Sequence, residues 1–202
     1  MKLVSHTVFF LLALTVFASA LSAPTEAGNR STPRIATFRV DITPPMGSPL
    51  CGGSVAPLAG IDDPLWAKGI VLDDGEHRYV LCGLDWCEIR NSGHREFRAA
   101  IADAVGTDVS RVAVQSLHPH DAPIIDVEAQ RIADAHPDPP AICDVADFRE
   151  HVRAVAAAAR EAAVRLEPFD HVGTATAVVQ RVASSRRLPV DGRITVRYSS
   201  AQ

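Results

Sequence analysis

The sequence has little lysine. Lys2 and Lys68 are the only lysines among 20 basic residues, which face 24 acidic ones and leave a formal net charge of −4. Because phosphate contacts need clustered lysine and arginine, this balance argues against a nucleic-acid partner. Internal repeats, heptads and collagen-like or glutamine-rich stretches are also missing from the sequence, which excludes repeat and fibrous architectures.

Several catalytic signatures are missing as well. The chain has no Gly-x-Ser-x-Gly elbow, no phosphate-binding P-loop, no His-Glu-x-x-His pair and no convincing Gly-x-Gly-x-x-Gly turn. These motifs position a nucleophilic serine, a nucleotide phosphate, a metal ion or a dinucleotide. Their absence disfavours a serine hydrolase and a nucleotide-dependent enzyme.

The N-terminus carries the one long apolar run. Residues 1–23 combine Lys2, an apolar stretch and small residues before residue 24, the pattern of a cleaved signal peptide. An uncleaved anchor is the alternative, although the run is short for a membrane span. Residues 24–33 are polar and turn-forming, and we expect a flexible linker there. The sequence therefore predicts an exported protein, periplasmic or secreted.

Four cysteines follow the N-terminal run, at Cys51, Cys82, Cys87 and Cys143. In an oxidising compartment they could form two disulfides, for which the sequence allows three pairings. The alternative is that some remain free as small buried residues. The spacing of Cys82 and Cys87 does not match a zinc knuckle.

The remaining sequence, 34–202, predicts one α/β domain with a mixed β-sheet flanked by helices. Ser92 and Gly106 are expected to begin and end the first helix, and residues 124–143 are expected to be irregular. Alternating apolar and polar residues, or runs of β-forming residues, predict the strands, and apolar residues spaced three or four apart predict helices. The predicted strands cover 34–40, 67–72, 78–84, 111–116, 171–181 and 193–198, and the predicted helices cover 93–105 and 145–166.

The strongest chemical feature is His118-Pro119-His120-Asp121, directly after a predicted strand. Two imidazoles two residues apart at a strand end can point the same way, and histidine is a common zinc ligand. Asp121 could accept a ring N–H and so select the tautomer. The alternative is a pair of polar loop histidines.

Two further residues lie near predicted strand ends. Asp85 ends the third strand, and ligands of open α/β sheets gather at the carboxyl ends of strands, so Asp85 and His118 could share one rim. A helix-capping role is the alternative for Asp85. Arg186 lies in a loop, where a guanidinium could bind an oxyanion or a polar headgroup, or belong to a solvated turn. The other mature histidines, including His94 and His151, are expected at the surface.

Four segments, in order, resemble the N-terminal part of the neutral/alkaline non-lysosomal ceramidase family. Residues 38–47 (FRVDITPPMG) and 63–75 (DPLWAKGIVLDDG) resemble its opening segments. Residues 116–123 (SLHPHDAP) resemble its Thr-His-Thr-His-Ser-Gly-Pro motif, and 182–187 (VASSRR) resemble the segment around its Asn-Arg. This sequence departs from the motifs at Leu117, Pro119, Asp121, Ala122 and Ser185.

The resemblance implies a zinc-dependent hydrolase that cleaves the amide of a sphingolipid-type, lipid-like substrate, with possible peripheral membrane contact. It implies that His118 is a zinc ligand and that His120 and Arg186 are active-site groups, while Asp85 is our own candidate for substrate binding. The family's further zinc ligands lie beyond this chain's length, so we expect the N-terminal part of a larger catalytic domain. The alternatives are a non-catalytic exported α/β domain that binds a lipid or partner, and an inactive fragment.

Overall fold

A computed structural model describes residues 32–180 and 186–196 of the chain. The predicted signal peptide, and the predicted linker up to residue 31, lie outside the described residues. The chain divides into two compact units, and the boundary falls between Phe169 and Asp170. Each unit is described by itself below.

The first unit alternates strands and helices, as the sequence predicts for an α/β protein. Short 3-10 turns cover Cys51–Gly53 and Val109–Arg111. No helix in the described ranges is long and apolar enough to cross a membrane. The strands are β1 (Arg34–Asp41), β2 (Trp66–Asp73), β3 (Arg78–Leu84), β4 (Glu88–Ile89), β5 (Val112–Ser116), β6 (Ile124–Ile125) and β7 (Glu167–Pro168), and the helices are α1 (Asn91–Val105), α2 (Val127–Ala133) and α3 (Val145–Ala163).

The main sheet has the order β5-β3-β2-β1-β7. Strands β1, β2 and β3 form an antiparallel meander, β7 adds to β1, and β5 pairs parallel with β3 in the register Val80↔Val112 to Leu84↔Ser116. The two-residue strands β4 and β6 form a separate parallel pair. The mixed sheet flanked by helices is therefore confirmed.

One face of the sheet carries the core, because side chains alternate along a strand. Helices α1 and α3 pack together and against strands on that face. On α1 the predicted apolar stripe is confirmed, since Phe97, Ile101, Ala104 and Val105 are all buried. Trp86 is fully buried beside Phe97, with ring centroids 6.1 Å apart. This aromatic cluster joins the helices to the segment that follows β3.

The second unit contains a hairpin of β8 (Arg187–Val190) and β9 (Arg193–Val196), paired from Arg187↔Val196 to Val190↔Arg193. Asp191 and Gly192 form its turn, both with positive φ. An Asp-Gly pair is a strong hairpin signal for this reason. The predicted strand over 171–181 is wrong, because residues 171–180 have no regular secondary structure.

Other departures from prediction involve local contacts. Helix α1 begins after Arg90 rather than at a Ser92 cap, and the Glu128 carboxylate accepts from the Ser92 backbone N–H. Gly106 ends α1 in the left-handed conformation, as predicted. His151 is not a surface residue, because its ring lies 5.9 Å from that of Trp86 and its side chain is only 14% exposed.

The sheet contains a glycine whose missing side chain makes room for an aromatic ring. A Cβ at Gly69 would overlap the ring of Phe38, which is buried on the neighbouring strand. We expect Gly69→Ala to lower the free energy of unfolding by about 1–3 kcal/mol, because the ring must shift. Urea-induced unfolding followed by tryptophan fluorescence measures the change.

Gly60→Ala is the matched control. Gly60 has no heavy atom within 4 Å of its ideal Cβ position, so its substitution should change stability by no more than about 0.5 kcal/mol. Equal effects of the two substitutions would contradict the proposed overlap with Phe38.

Candidate functional site

The candidate site lies where β3 and β5 end. Parallel strands leave the sheet at the same edge, and here the pairing continues beyond them. The Leu117 N–H donates to the Leu84 carbonyl at 3.0 Å, and the His118 N–H donates to the Trp86 carbonyl at 3.1 Å. The chain then turns at His118, which has a φ of 67°. These backbone bonds fix the position of His118 relative to the buried Trp86.

The ring of His118 has a defined orientation. Its Nδ1 lies 2.9 Å from the Cys87 carbonyl oxygen. A carbonyl oxygen only accepts, so Nδ1 carries the proton and donates it, and in the neutral ring the lone pair is on Nε2. A histidine that binds a metal through one nitrogen commonly donates the other N–H to a backbone carbonyl. The sequence suggested Asp121 for this role, and the structure assigns it to Cys87.

His120 lies beside His118, as the spacing predicts. The ring centroids are 5.0 Å apart and the planes are nearly perpendicular, at 87°. The Glu88 carboxylate also lies near the His118 ring, with Oε1 3.8 Å from Nδ1. The His118 side chain is 55% exposed, so its ring is accessible from solvent while its backbone is held.

Asp85 is held by the first residue of β2. Its Oδ2 accepts from the Trp66 N–H at 2.9 Å, and its own N–H donates to the Trp66 carbonyl at 2.9 Å. These two reciprocal hydrogen bonds join the first residue of β2 to the residue that follows β3. Asp85 is therefore a strand-end clamp rather than a helix cap, and its predicted role in substrate binding stays a prediction.

Asp85 and His118 line one cleft of about 720 Å³. The sequence placed these two residues on one rim, and the geometry agrees. Asp121 is also in the lining, and the long loop before β2 forms much of the wall. The large aliphatic side chains in this lining are Leu50, Leu58, Ile61, Leu65 and Leu117. The cleft thus combines these apolar side chains with the imidazole of His118 and several carboxylates, some of them on the loop wall.

A larger cleft of about 870 Å³ lies at the other end of β2, around Asp73. There Asp73 accepts from Arg34 at 3.1 Å and from Arg78 at 3.2 Å. Burial raises the pKa of Asp73, but the Gly75 N–H and the two arginines outweigh it and lower that pKa overall. Because these charges are already paired with each other, we place the candidate site at His118.

Arg186 belongs to the second unit, where it is exposed at the start of the hairpin. Residues 182–185 of the segment that carries its resemblance lie outside the described residues. The expectation that Arg186 contributes to catalysis stays a prediction.

Sequence reasoning missed Cys87 and Glu88 as neighbours of His118, and Cys51 as a neighbour of Cys87. The Cys87 contact uses its backbone carbonyl, for which no residue type is diagnostic. The Cys51 thiol lies 3.9 Å from that of Cys87. A parallel pairing of β3 with β5, had it been assumed, would have brought Cys87 close to His118.

The described residues do not make a complete zinc site. The Nδ1 contact of His118 leaves Nε2 with a lone pair, but within residues 32–180 and 186–196 no three histidine, cysteine or acidic side chains are grouped to hold a metal ion. A catalytic zinc normally has three protein ligands. The geometry fits one ligand and not the whole set.

Among known proteins, the chain matches solved structures but neither family models nor curated sequences. No protein-family model matches the chain, and no curated protein matches it significantly. Solved structures do match. The fold resembles that of a neutral ceramidase.

Neutral ceramidase from Pseudomonas aeruginosa matches 68% of this chain with a TM-score of 0.54 and 19% sequence identity. A ceramidase complexed with C2 matches the same share with a TM-score of 0.52 and 18% identity. The chain covers 22% of the length of each of these structures. At this identity the likeness concerns the fold, which is ceramidase-like.

The clamp at Asp85 can be tested through stability. Asp85→Ala removes the acceptor of the Trp66 N–H and should lower the free energy of unfolding by about 1–3 kcal/mol, the cost of leaving a part-buried donor unpaired. Asp62→Ala, an exposed carboxylate in the same cleft lining, should change it by less than about 0.5 kcal/mol. Urea unfolding of both variants measures these free energies. An unchanged free energy of unfolding in Asp85→Ala would show that the clamp is dispensable.

Proposed function

We propose that this chain is the N-terminal portion of a ceramidase-like, zinc-dependent hydrolase that acts on the amide bond of an N-acylated, sphingolipid-type substrate. The observation that carries the proposal is the orientation of His118, whose Nδ1–H is donated to the Cys87 carbonyl at 2.9 Å. The ceramidase-like fold and the ordered sequence segments support the same assignment.

In this proposal His118 contributes one ligand, through Nε2, to a zinc site. The other ligands lie outside the described residues. Zinc in such sites lowers the pKa of a bound water and polarises a carbonyl group. The backbone bonds of His118 hold the imidazole in place before the metal arrives, which reduces the cost of ordering it.

The other candidate residues receive roles that follow from their chemistry. His120, edge-on to the His118 ring, would contact the substrate beside the metal ligand. Asp85 would hold a substrate hydroxyl or amide N–H through Oδ1, since Oδ2 accepts from Trp66. Arg186 keeps the role that the resemblance implies, that of an active-site guanidinium, a group well suited to bind an oxyanion.

The wall of the cleft favours an apolar substrate. Leu50, Leu58 and Leu65 line it within the same 720 Å³ space as His118. Burial of hydrocarbon surface would stabilise a bound acyl chain by about 25 cal/mol per Å². Export, which the signal-like residues 1–23 suggest, and peripheral membrane contact would both give access to lipid.

Zinc titration of the full chain tests the ligand assignment. Because the described residues supply one of the three protein ligands that a catalytic zinc normally has, we expect the full chain to bind zinc weakly. We expect His118→Ala to weaken this binding further by at least about tenfold, because the imidazole ligand is removed. His77→Ala, in the turn between β2 and β3, is the matched control and should leave zinc affinity unchanged. Isothermal calorimetry or a competing zinc dye gives the constants. Equal affinities of wild type and His118→Ala would remove the basis of the proposal.

A second function is favoured by the incomplete ligand set in the described residues. The chain could bind an N-acylated lipid in the apolar cleft without cleaving it. Incubation with a short-chain N-acylsphingosine and zinc, followed by mass spectrometry of free sphingosine, separates the two. Release that a chelator abolishes supports hydrolysis, whereas saturable binding without release supports the binding module.

A further inference from the structure

Two cysteines meet beside the candidate site. The Sγ atoms of Cys51 and Cys87 are 3.9 Å apart. Cys51 begins a short turn in the long loop before β2, and Cys87 lies between β3 and β4. Their 36-residue separation in sequence gives no hint of the contact.

Both cysteines are held by one segment of backbone. The Cys51 N–H donates to the Ala122 carbonyl at 2.9 Å, and the Cys87 N–H donates to the Pro123 carbonyl at 2.9 Å. Because Ala122 and Pro123 are consecutive, the two thiols are kept together by the main chain rather than by side-chain packing alone.

The other two cysteines are occupied elsewhere. Cys82 is buried within β3, with Sγ 4.0 Å from the Gly83 carbonyl, and Cys143 contacts the Asp126 carbonyl at 3.7 Å. Cys51 and Cys87 are the thiols in mutual contact among the described residues. Of the cysteine pairs that the sequence leaves open, the geometry favours Cys51 with Cys87 and gives no contact between Cys82 and Cys143 among the described residues.

We propose that Cys51 and Cys87 form a disulfide when the chain meets a small-molecule disulfide such as oxidised glutathione, and that this bond is a redox-dependent clamp on the His118 end of the cleft. In the reaction each cysteine loses one hydrogen, one S–S bond forms, and the reagent's S–S bond breaks to give two thiols. The proposal is independent of zinc and of hydrolysis.

The required movement is small. An S–S bond is about 2.0 Å long, so the two sulfurs must approach each other by roughly 2 Å. Rotation of the partly buried Cys51 side chain would bring its sulfur towards the fully buried Cys87. The backbone bonds to Ala122 and Pro123 need not break.

The difference in burial between Cys51 and Cys87 sets the order of the two thiol–disulfide exchange steps. Cys87 is fully buried and hidden from the reagent, whereas Cys51 is only partly buried. The accessible Cys51 would exchange first to give a mixed disulfide, and Cys87 would then displace the reagent's second thiol.

The bond would act on His118 through two contacts. The Cys87 carbonyl accepts the His118 Nδ1–H at 2.9 Å, and the Cys87 Sγ lies 3.6 Å from the same nitrogen. Cys51 belongs to the loop whose Leu50 and Leu58 line the cleft. A disulfide would thus tie the cleft wall to the residue that orients the imidazole, and reduction would release the wall.

Peptide mapping of the full chain tests the bond. After treatment with oxidised glutathione, two of the four thiols should remain, and non-reducing digestion should give a Cys51–Cys87 cross-link. Trypsin leaves Cys82 and Cys87 in one peptide, so cleavage at Asp85, which lies between them, is needed to assign the link. Four remaining thiols, a link to Cys82 or Cys143, or glutathione retained on Cys51 would each overturn the proposal.

Hydrogen exchange tests the clamp. Oxidation of the wild type should slow amide exchange in residues 47–63 and 117–121 by about tenfold or more, because opening of the loop is restricted. Cys51→Ala should abolish this redox difference, and Cys143→Ala, the matched control, should retain it. A disulfide that forms without slowing exchange in these segments would refute the clamp while leaving the bond established.

Discussion

The parallel pairing of β3 with β5 is the interaction on which the site depends. It joins Val80 to Val112 and Leu84 to Ser116, and helix α1 lies in the connection between the two strands. Parallel strands require such a crossover, and their ends meet at one edge of the sheet. Burial of Phe97 on α1 supports this arrangement. Without it, Asp85 and His118 would belong to unrelated loops.

Trp86 connects the core with the site. Its ring is buried against Phe97 and Phe148, and its Nε1–H donates to the Ile42 carbonyl at 3.1 Å. Its carbonyl accepts the His118 N–H. One residue therefore anchors the first residue beyond β1, the helices and the turn at His118. Substitutions in this aromatic cluster should shift the position of His118, although no aromatic ring of the cluster lines the cleft.

The predictable parts of the fold are those with a repeating pattern. Strand composition and the turn signal at residues 73–76 predicted β1, β2 and β3 within one residue at each end. The apolar stripe predicted α1, and an Ala- and Arg-rich segment before Pro168 predicted α3. Strands β4 and β6 have two residues each, which is too few to show a repeating hydrophobic pattern. Residues 171–180 have the composition of a strand but adopt no regular secondary structure. At the site, His118 and Asp85 were predictable from residue type and strand-end position. The contact with the Cys87 carbonyl was not predictable, because every residue type has a backbone carbonyl and the sequence does not show which one is used.

The orientation of His118 also bears on the departures from the family motif. Leu117 and Pro119 stand where that motif has two threonines, yet the imidazole is held by the Cys87 carbonyl and the backbone N–H of His118 by the Trp86 carbonyl. Backbone acceptors remain when neighbouring side chains change, so these replacements leave the ring's support intact. Pro119 removes a backbone donor and narrows the conformations of the chain after His118.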